Sequence, residues 1–256
     1  MQSGFRKGHS TTTALGDVVD NILFAQDRGE ITALVLLDYS RAFDTLNIPL
    51  LLSKMKYYGF TDNCVSWFDS YLKNRHQIVE LVDDDGTLTR SNAHYVNRGV
   101  PQGSVLGPLI FSLYTADVIK QIQHSCYHMY ADDIQVYASF SPDNMTEVIS
   151  KLNEDLARIS EWSEANALVL NPGKTKYMLM GTKAQINKIA NVMPPIHIKG
   201  NLIETVPETR NLGLLMDEGM RFEKHIVKTV SNCFYRLKIL YKIRRFISTD
   251  LRIKLR

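Results

Sequence analysis

Residues 126–139 read CYHMYADDIQVYAS, and apolar and polar side chains alternate on both sides of the tetrapeptide Tyr130-Ala131-Asp132-Asp133. Period-two patterns that flank a short polar break predict a β-hairpin. Two adjacent carboxylates at its tip repel each other and contribute nothing to packing. An acidic turn tip is usually just solvated, but hard cations such as Mg²⁺ bind carboxylate oxygens. A metal site at this hairpin therefore depends on a further carboxylate elsewhere in the chain.

Asp38 is the candidate for that further carboxylate. It follows Ile31–Leu37, a continuous apolar run that is typical of a central strand buried on both faces. An ionised Asp at the end of such a strand is costly unless it is paired or bound to metal. If this strand lies beside the hairpin, Asp38, Asp132 and Asp133 converge. Three carboxylates can then hold two Mg²⁺ ions ~3.5–4 Å apart, which is an arrangement suited to in-line phosphoryl displacement.

The rest of the chain alternates between helical and strand patterns. Capping residues and apolar spacing predict helices over residues 10–28, 46–59 and 62–73. They also predict a helix that residues 99–108 open and that runs to about Gln123, a long helix capped by residues 141–143 with packing residues from Val148 to Trp162, and a helical tail from Phe222. Strand patterns are found at residues 31–37, 77–82, 87–96, 175–180, 196–198, 202–206 and 211–216. The interleaving of these elements predicts an α+β fold.

Composition excludes several classes of protein. The chain has 256 residues, of which 45% are hydrophobic and 22% charged, as is ordinary for a globular protein. It lacks both a run of ~20 apolar residues and the apolar core of a signal peptide. Three distant cysteines (Cys64, Cys126 and Cys233) favour neither a disulfide framework nor a zinc site. We therefore expect an intracellular protein of the nucleus or cytoplasm, with no membrane association.

The net charge of +3 hides an asymmetry. Residues 221–256 carry eleven Lys and Arg against two acids, whereas the other 220 residues carry 19 basic and 25 acidic side chains. On a helix, one set of cations falls within a stripe of ~100° opposite an apolar arc: Lys224, Lys228, Lys238, Lys242 and Arg245. This pattern predicts a helix whose apolar arc packs on the protein and whose cationic stripe binds nucleic acid. A lysine face that is merely solvated would give the same sequence pattern.

Six blocks of sequence occur in the order found in reverse transcriptases. Three resemble the palm motifs of that family: DYSRAFD at residues 38–44, GVPQGSVLGP at 99–108 and YADD at 130–133. Three flanking blocks also resemble family segments: QSGFRKGHST at residues 2–11, LNPGKT at 170–175, and NLG at 211–213 with Asp217 and His225. The variants resemble those of non-LTR (LINE-type) retrotransposons, most of all the jockey-like insect elements.

The resemblance implies a right-hand polymerase palm, in which an antiparallel sheet packs on helices, with partial fingers and the start of a thumb. Residues 1–30 and 46–98 would be fingers, 31–45 and 99–217 palm, and 218–256 the exit from the primer grip and a truncated thumb. It implies an RNA-directed DNA polymerase that takes an RNA template, a DNA primer and dNTPs, with two Mg²⁺ ions or Mn²⁺ as a substitute. The family carries further finger and thumb segments, so we expect an incomplete enzyme. The alternative is a truncated or co-opted fragment that binds nucleic acid without turnover.

The resemblance also assigns roles to individual residues. Phe43 matches the family's steric gate, where its ring would exclude a ribonucleotide 2′-hydroxyl; the alternative is plain core packing. Gln102 and Gly103 match the block under the nascent base pair, and a glycine permits close approach of the backbone. Lys174 matches a residue beside the triphosphate, where a cation would stabilise or protonate the leaving group.

Two further motif residues are less closely defined. Tyr130 belongs to the substrate-binding set through its place in the YADD block. Asp44 belongs to the first palm block, and we expect it to bond locally to the backbone and not to bind metal.

A viral RNA-copying polymerase remains a minor alternative, since such enzymes more often carry Gly-Asp-Asp and a small polar residue in place of Phe43. The oligomeric state does not follow from these residues.

Overall fold

The computed structural model describes residues 2–244 and 246, and the predicted α+β class is confirmed. The helices in this part of the chain are α1 (Thr11–Asp27), α2 (Ala42–Thr45), α3 (Ile48–Tyr57), α4 (Asp62–Leu72), α5 (Gly107–Thr115), a 3₁₀ turn (Val118–Gln121), α6 (Met145–Ala165), α7 (Lys183–Ile189) and α8 (Glu223–Ile243). No helix among these residues is long and apolar enough to cross a bilayer.

The strands are short apart from those of the central sheet. They are β1 (Ile31–Leu37), β2 (Tyr39–Ser40), β3 (Arg75–Gln77), β4 (Glu80–Val82), β5 (Leu88–Arg90), β6 (His94–Val96), β7 (Cys126–Tyr130), β8 (Asp133–Phe140), β9 (Val169–Leu170), β10 (Lys176–Met180), β11 (His197–Ile198), β12 (Asn201–Leu202), β13 (Glu204–Thr205), β14 (Glu208–Asn211) and β15 (Leu214–Asp217). Five of them form the central sheet in the order β13-β10-β1-β8-β7. Strand β1 runs antiparallel to both of its neighbours, β10 and β8, so the predicted central strand lies beside the predicted hairpin.

The sheet is covered on both faces by a hydrophobic core, which explains the continuous apolar run of β1. Ala33, Val35 and Leu37 face the larger core, to which α3, α4, α5 and α6 contribute. Leu34 faces a smaller core that includes the buried residues of α1. Because side chains of a strand alternate between faces, every apolar position of β1 meets one core or the other. Burial of each large apolar side chain contributes about 1.5–3 kcal/mol to stability.

Several features differ from the sequence prediction. The central sheet was expected to be antiparallel but is mixed, because β13 pairs with β10 in parallel. The helix expected to reach about Gln123 ends at Thr115, because the buried Lys54 ammonium donates to the Tyr114 carbonyl at 2.7 Å, an acceptor that a continued helix would use. The hairpin expected over residues 77–96 forms two separate ladders, β3 with β6 and β4 with β5. Helix α7 was not predicted; a capping box between Thr182 and Gln185 starts it.

Asp155 of α6 is fully buried and anchors the loop that leads into β7. It accepts hydrogen bonds from the backbone N–H groups of Gln123, His124 and Ser125 at 2.9, 3.1 and 2.7 Å, and it pairs with Arg158. Burial alone would raise the pKa of this carboxyl, but these hydrogen bonds outweigh burial and lower it.

Asp155→Asn is expected to lower the free energy of unfolding by about 2–3 kcal/mol at pH 7, because buried donors lose a charged acceptor. A folded-state pKa below the ordinary value stabilises the native state above the ordinary carboxyl pKa, and this contribution disappears as the pH falls through the folded-state value. Urea denaturation should therefore show the full difference in free energy of unfolding between the wild type and Asp155→Asn at pH 7, and a smaller difference below about pH 4. Glu147→Gln, which removes a surface ion pair, is the control; an equal loss in both variants would contradict the prediction.

Candidate active site

The YADD block forms a two-residue turn between β7 and β8. Tyr130 and Asp133 are the last paired residues, so Ala131 and Asp132 make the turn. Ala131 adopts a φ of 56°, which is the left-handed region. This conformation costs a residue other than glycine about 1–2 kcal/mol, so neighbouring contacts must hold it in place.

The register of the sheet brings Asp38 to this turn. Leu37, the last residue of β1, pairs with Ile134, and one further step along both strands sets Asp38 opposite Asp133. The pKa of Asp133 is raised to about 6, first by desolvation and then by the negative charges of Asp132 and Asp38. The three predicted carboxylates therefore lie close enough to repel one another at one end of the sheet.

Lys174 is the cation at this end. Its Nζ lies 3.8 Å from Asp38 Oδ2, an oxygen that is shielded from solvent and has no hydrogen-bond partner. The turn that carries Lys174 is fixed to the end of β1, because the Asn171 N–H donates to the Asp38 carbonyl at 2.9 Å. The Lys174 side chain is 68% exposed, so it can also reach a ligand in front of the sheet.

The donor set suits a divalent cation. It consists of hard carboxylate oxygens, one of them buried and without a hydrogen bond to the described residues, and it includes a carboxyl whose pKa is raised by desolvation and by like charges. Within residues 2–244 and 246, no group of three or more His, Cys, Asp or Glu side chains has an arrangement ready to hold an ion. The three carboxylates are thus neighbours but not a closed coordination shell.

Phe43 lies on the short helix α2, five residues after Asp38. Its half-buried ring stacks on the fully buried Phe111, with centroids 4.4 Å apart and planes at 20°. The exposed ring of Phe5 meets it edge-on at 6.4 Å and 89°. Phe43 therefore packs against the core on one face and remains partly accessible. This position is compatible with a steric gate and with plain core packing.

The segment around Gln102 is docked onto α2. The Val100 N–H donates to the Phe43 carbonyl at 2.9 Å, and a Cβ at Gly99 would lie only 2.7 Å from the Asp44 Cα. Gln102 donates to the Asp44 carboxylate at 2.8 Å. The local backbone bond expected for the Asp44 side chain is not found among the described residues. Gly103 has a φ of +77° and open space around its Cα.

Arg75 is a site residue that sequence reasoning missed. Its guanidinium donates to the carbonyls of Arg98 and Gly99 at 2.9 and 2.6 Å, and to that of Leu72 at 3.0 Å. These bonds fix the segment that carries Gln102 to the end of α4. No local pattern marks Arg75, because the partners that matter here, the carbonyls of Arg98 and Gly99, are backbone groups 23 and 24 positions away.

The basic helix is only partly as predicted. Helix α8 is present, and its four described stripe lysines, Lys224, Lys228, Lys238 and Lys242, are exposed. Lys224 pairs with Glu208 at 2.6 Å, and Arg245 lies outside the described residues. The expectation that the apolar arc packs is wrong for Glu223–Ile243, none of which is buried: Phe234 is 68% exposed and Tyr241 64%. Helical periodicity reveals an apolar face but not whether another element covers it.

Asp133→Asn is expected to stabilise the chain in the absence of divalent metal. An acid whose folded-state pKa is raised destabilises the native state increasingly as the pH rises from its ordinary value, near 4, to about 6. Although the Asp133 carboxyl is partly desolvated, the residue as a whole is exposed, so screening by solvent reduces the gain in free energy of unfolding to roughly 0.5–1 kcal/mol at pH 7. Thermal unfolding from pH 4 to 7 measures it, with Asp84→Asn at the exposed β4–β5 turn as control. A variant that unfolds earlier than the wild type at pH 7 would contradict the prediction.

Comparison with known proteins agrees with this geometry. Residues 1–216 match the family described as reverse transcriptase (RNA-dependent DNA polymerase). The chain is 31% identical over 255 residues to the probable RNA-directed DNA polymerase from transposon BS of Drosophila melanogaster, which covers 93% of this chain and 26% of that protein. It is also 31% identical over 233 residues to the RNA-directed DNA polymerase from mobile element jockey of Drosophila funebris, covering 88% of this chain and 24% of that protein.

Among solved structures, apo telomerase from Candida tropicalis is similar in fold. The TM-score is 0.50 at 13% identity, and the match covers 79% of this chain and 35% of that chain. The chain thus spans about a quarter of the length of the two mobile-element relatives and about a third of the telomerase.

Proposed function

Because this chain belongs to the reverse transcriptase (RNA-dependent DNA polymerase) family, we propose that it is the RNA-directed DNA polymerase module of a non-LTR mobile element. The resemblance drawn from the six ordered blocks is thereby confirmed, and so is the right-hand polymerase fold. The observation that carries the proposal is the meeting of Asp38 with Asp132 and Asp133 at one end of the sheet, where desolvation, together with the charges of Asp132 and Asp38, raises the pKa of Asp133 to about 6.

Reverse transcriptases use divalent metal ions, and the three carboxylates would hold a pair of Mg²⁺ ions, with Mn²⁺ as a substitute. Such ions, when bound, activate the primer 3′-hydroxyl and neutralise the triphosphate. Asp38, Asp132 and Asp133 supply negatively charged oxygens from two neighbouring strands, so the sheet sets their spacing. Lys174, tied to the end of β1, supplies a positive charge or a proton to the departing pyrophosphate.

The residues around the carboxylates would bind the substrates. Phe43 excludes a 2′-hydroxyl and so selects dNTPs, while Gln102, Gly103 and Tyr130 contact the nascent base pair. An RNA template is the partner common to the family, and a DNA primer and dNTPs complete the substrate set. The exposed lysines of α8 would lie along a phosphate backbone. In this scheme residues 1–30 and 46–98 contribute to fingers, 31–45 and 99–217 to palm, and the segment from 218 to thumb.

Primer extension on an RNA template tests the proposal. A 5′-labelled DNA primer annealed to RNA is incubated with dNTPs and either Mg²⁺ or Mn²⁺, and Asp132→Ala is the negative control. The assay uses the 256-residue chain and a second protein in which this chain replaces the matching segment of the longer transposon BS relative. Extension that requires Asp132 supports the proposal. Failure of both proteins to extend while they still bind the primer–template would favour a nucleic-acid-binding fragment without turnover.

A further inference from the structure

Gln2 bonds to the backbone of the turn that carries the catalytic carboxylates. Its Oε1 accepts from the Ala131 N–H at 3.2 Å and from the Gly4 N–H at 2.8 Å, and its Nε2 donates weakly to the Ala131 carbonyl at 3.4 Å. Ala131 is the turn residue with positive φ, directly before Asp132. One side-chain amide thus satisfies both backbone groups of the strained residue.

The residues that follow Gln2 continue along β7. Gln2 forms a parallel bridge with Met129, and the Ser3 N–H donates to the Met129 carbonyl at 2.9 Å. Ser3 Oγ lies 2.8 Å from His128 Nε2, and both residues are buried. At Gly4 the approach is so close that a Cβ would lie 2.3 Å from the Ala131 N. Residues 2–5, which we call the strap, are therefore fitted to this one turn.

The far end of the strap contacts the other half of the site. Phe5 is 53% exposed, so its position is not explained by burial in the core. The Phe5 ring meets the Phe43 ring edge-on, with centroids 6.4 Å apart, and the Phe43 ring also stacks on Phe111. An edge-to-face pair of this kind is worth about 0.5–1.5 kcal/mol and restricts the tilt of both rings.

We propose that the strap is a positioning element of the polymerase site, in which Gln2 and Gly4 hold the turn of Asp132 and Phe5 fixes the ring of Phe43. The inference rests on the proposed function, because it assigns to residues 2–5 the placement of groups that would bind metal and nucleotide. None of these residues needs to touch the reacting atoms. Loss of an outer contact that orients a metal ligand typically lowers metal affinity or activity about 10- to 100-fold.

The first test removes the amide of Gln2 without shortening the side chain. Gln2→Met is expected to weaken Mn²⁺ binding, followed by the EPR signal of free Mn²⁺, about tenfold. It should also speed hydrogen exchange at the Ala131 amide. Gln185→Met is the matched control, since Gln185 accepts a backbone N–H bond at the cap of α7 and not at the turn. Unchanged Mn²⁺ affinity and unchanged exchange in Gln2→Met would overturn this part of the inference.

Gly4→Ala provides a steric version of the same test. Its new methyl must displace the turn or the strap, so Mn²⁺ affinity should fall, whereas Gly16→Ala in α1 has open space and should leave it unchanged. Urea denaturation of both variants shows whether the chain remains folded. Equal Mn²⁺ affinity in folded Gly4→Ala and wild type would contradict the inference.

Phe5→Ala tests the contact with Phe43. Discrimination between dNTPs and rNTPs, measured as the ratio of kcat/KM values, should fall about 3- to 10-fold with little change in kcat for dNTPs. Phe24→Ala, which removes a 63% exposed ring from α1, is the control. A ratio unchanged in Phe5→Ala would refute the role of Phe5. If the wild type failed to extend primers, the proposed function would fail, while exchange at the Ala131 amide would still decide whether the strap holds the turn.

Discussion

Asp38→Asn is expected to lower the maximal rate of primer extension by at least about 10³-fold, because an amide carries no charge to hold a divalent cation at the reacting phosphate. Asn has nearly the same size as Asp, so the fold should persist. Within the described residues the Asp38 Oδ2 atom has no hydrogen bond and lies 3.8 Å from Lys174 Nζ, and the backbone bond of Asp38 to Asn171 does not depend on the side chain. Single-turnover extension at saturating dNTP, with Mg²⁺ and with Mn²⁺, measures the loss.

Asp44→Asn is the matched control for this variant. It lies in the same block, six residues later, and an asparagine oxygen can still accept the bond from Gln102. We expect its maximal rate to remain within about tenfold of the wild type, since no metal-bound charge is removed. An Asp38→Asn variant as active as Asp44→Asn would show that Asp38 is not a metal ligand.

The catalytic end of the sheet was predictable because its evidence is local. A buried strand that ends in Asp38 and a hairpin with an acidic tip each produce a pattern in a few residues, and pairing of the two elements follows from an α+β sheet. The register that sets Asp38 opposite Asp133 confirms that they are neighbours. What they bind remains a prediction, and the raised pKa of Asp133 is its main support.

The parts that could not be predicted depend on contacts between segments far apart in sequence. At the end of α5, Lys54 donates to the Tyr114 carbonyl, and before Gln102, Arg75 donates to the Gly99 carbonyl. Gln2 accepts a bond from the Ala131 N–H, 129 positions away. In each case one partner is a backbone group, which has no sequence signature. The exposure of α8 illustrates the same limit, because amphipathic periodicity does not identify the surface that would cover the apolar face.

Repulsion among the carboxylates at this site lowers the stability of the fold when no metal is bound, and we expect metal binding to relieve it. Without a cation, Asp133 is strained by its neighbours, so its replacement should stabilise the fold. A divalent ion that binds only the folded wild type should make the wild type more stable than Asp133→Asn. The stabilisation by the ion grows with the ratio of ion concentration to dissociation constant. A rise in melting temperature with Mn²⁺ in the wild type, and its absence in Asp133→Asn, would link the stability and metal predictions.

Phe43→Ala is expected to reduce discrimination against rNTPs by about 10²-fold, because removing the ring opens space for a 2′-hydroxyl. The carboxylates proposed to bind metal lie on other elements, so extension with dNTPs should change much less. The variant will also lose the stacking on Phe111, at a cost of about 2–3 kcal/mol in the free energy of unfolding. The measurement is kcat/KM for matched dNTP and rNTP pairs on one RNA template.

Two further variants separate nucleotide selection from core packing. Phe60 is another half-buried ring packed on the same core, so Phe60→Ala should lose stability without changing the choice of sugar. Phe43→Leu keeps some bulk on Phe111 and should give intermediate discrimination. If Phe43→Ala and Phe60→Ala lost similar stability and neither altered the rNTP ratio, Phe43 would be a core residue and not the gate. A change in the ratio confined to the Phe43 variants would place sugar selection at this ring, because general loosening of the core would affect both sites.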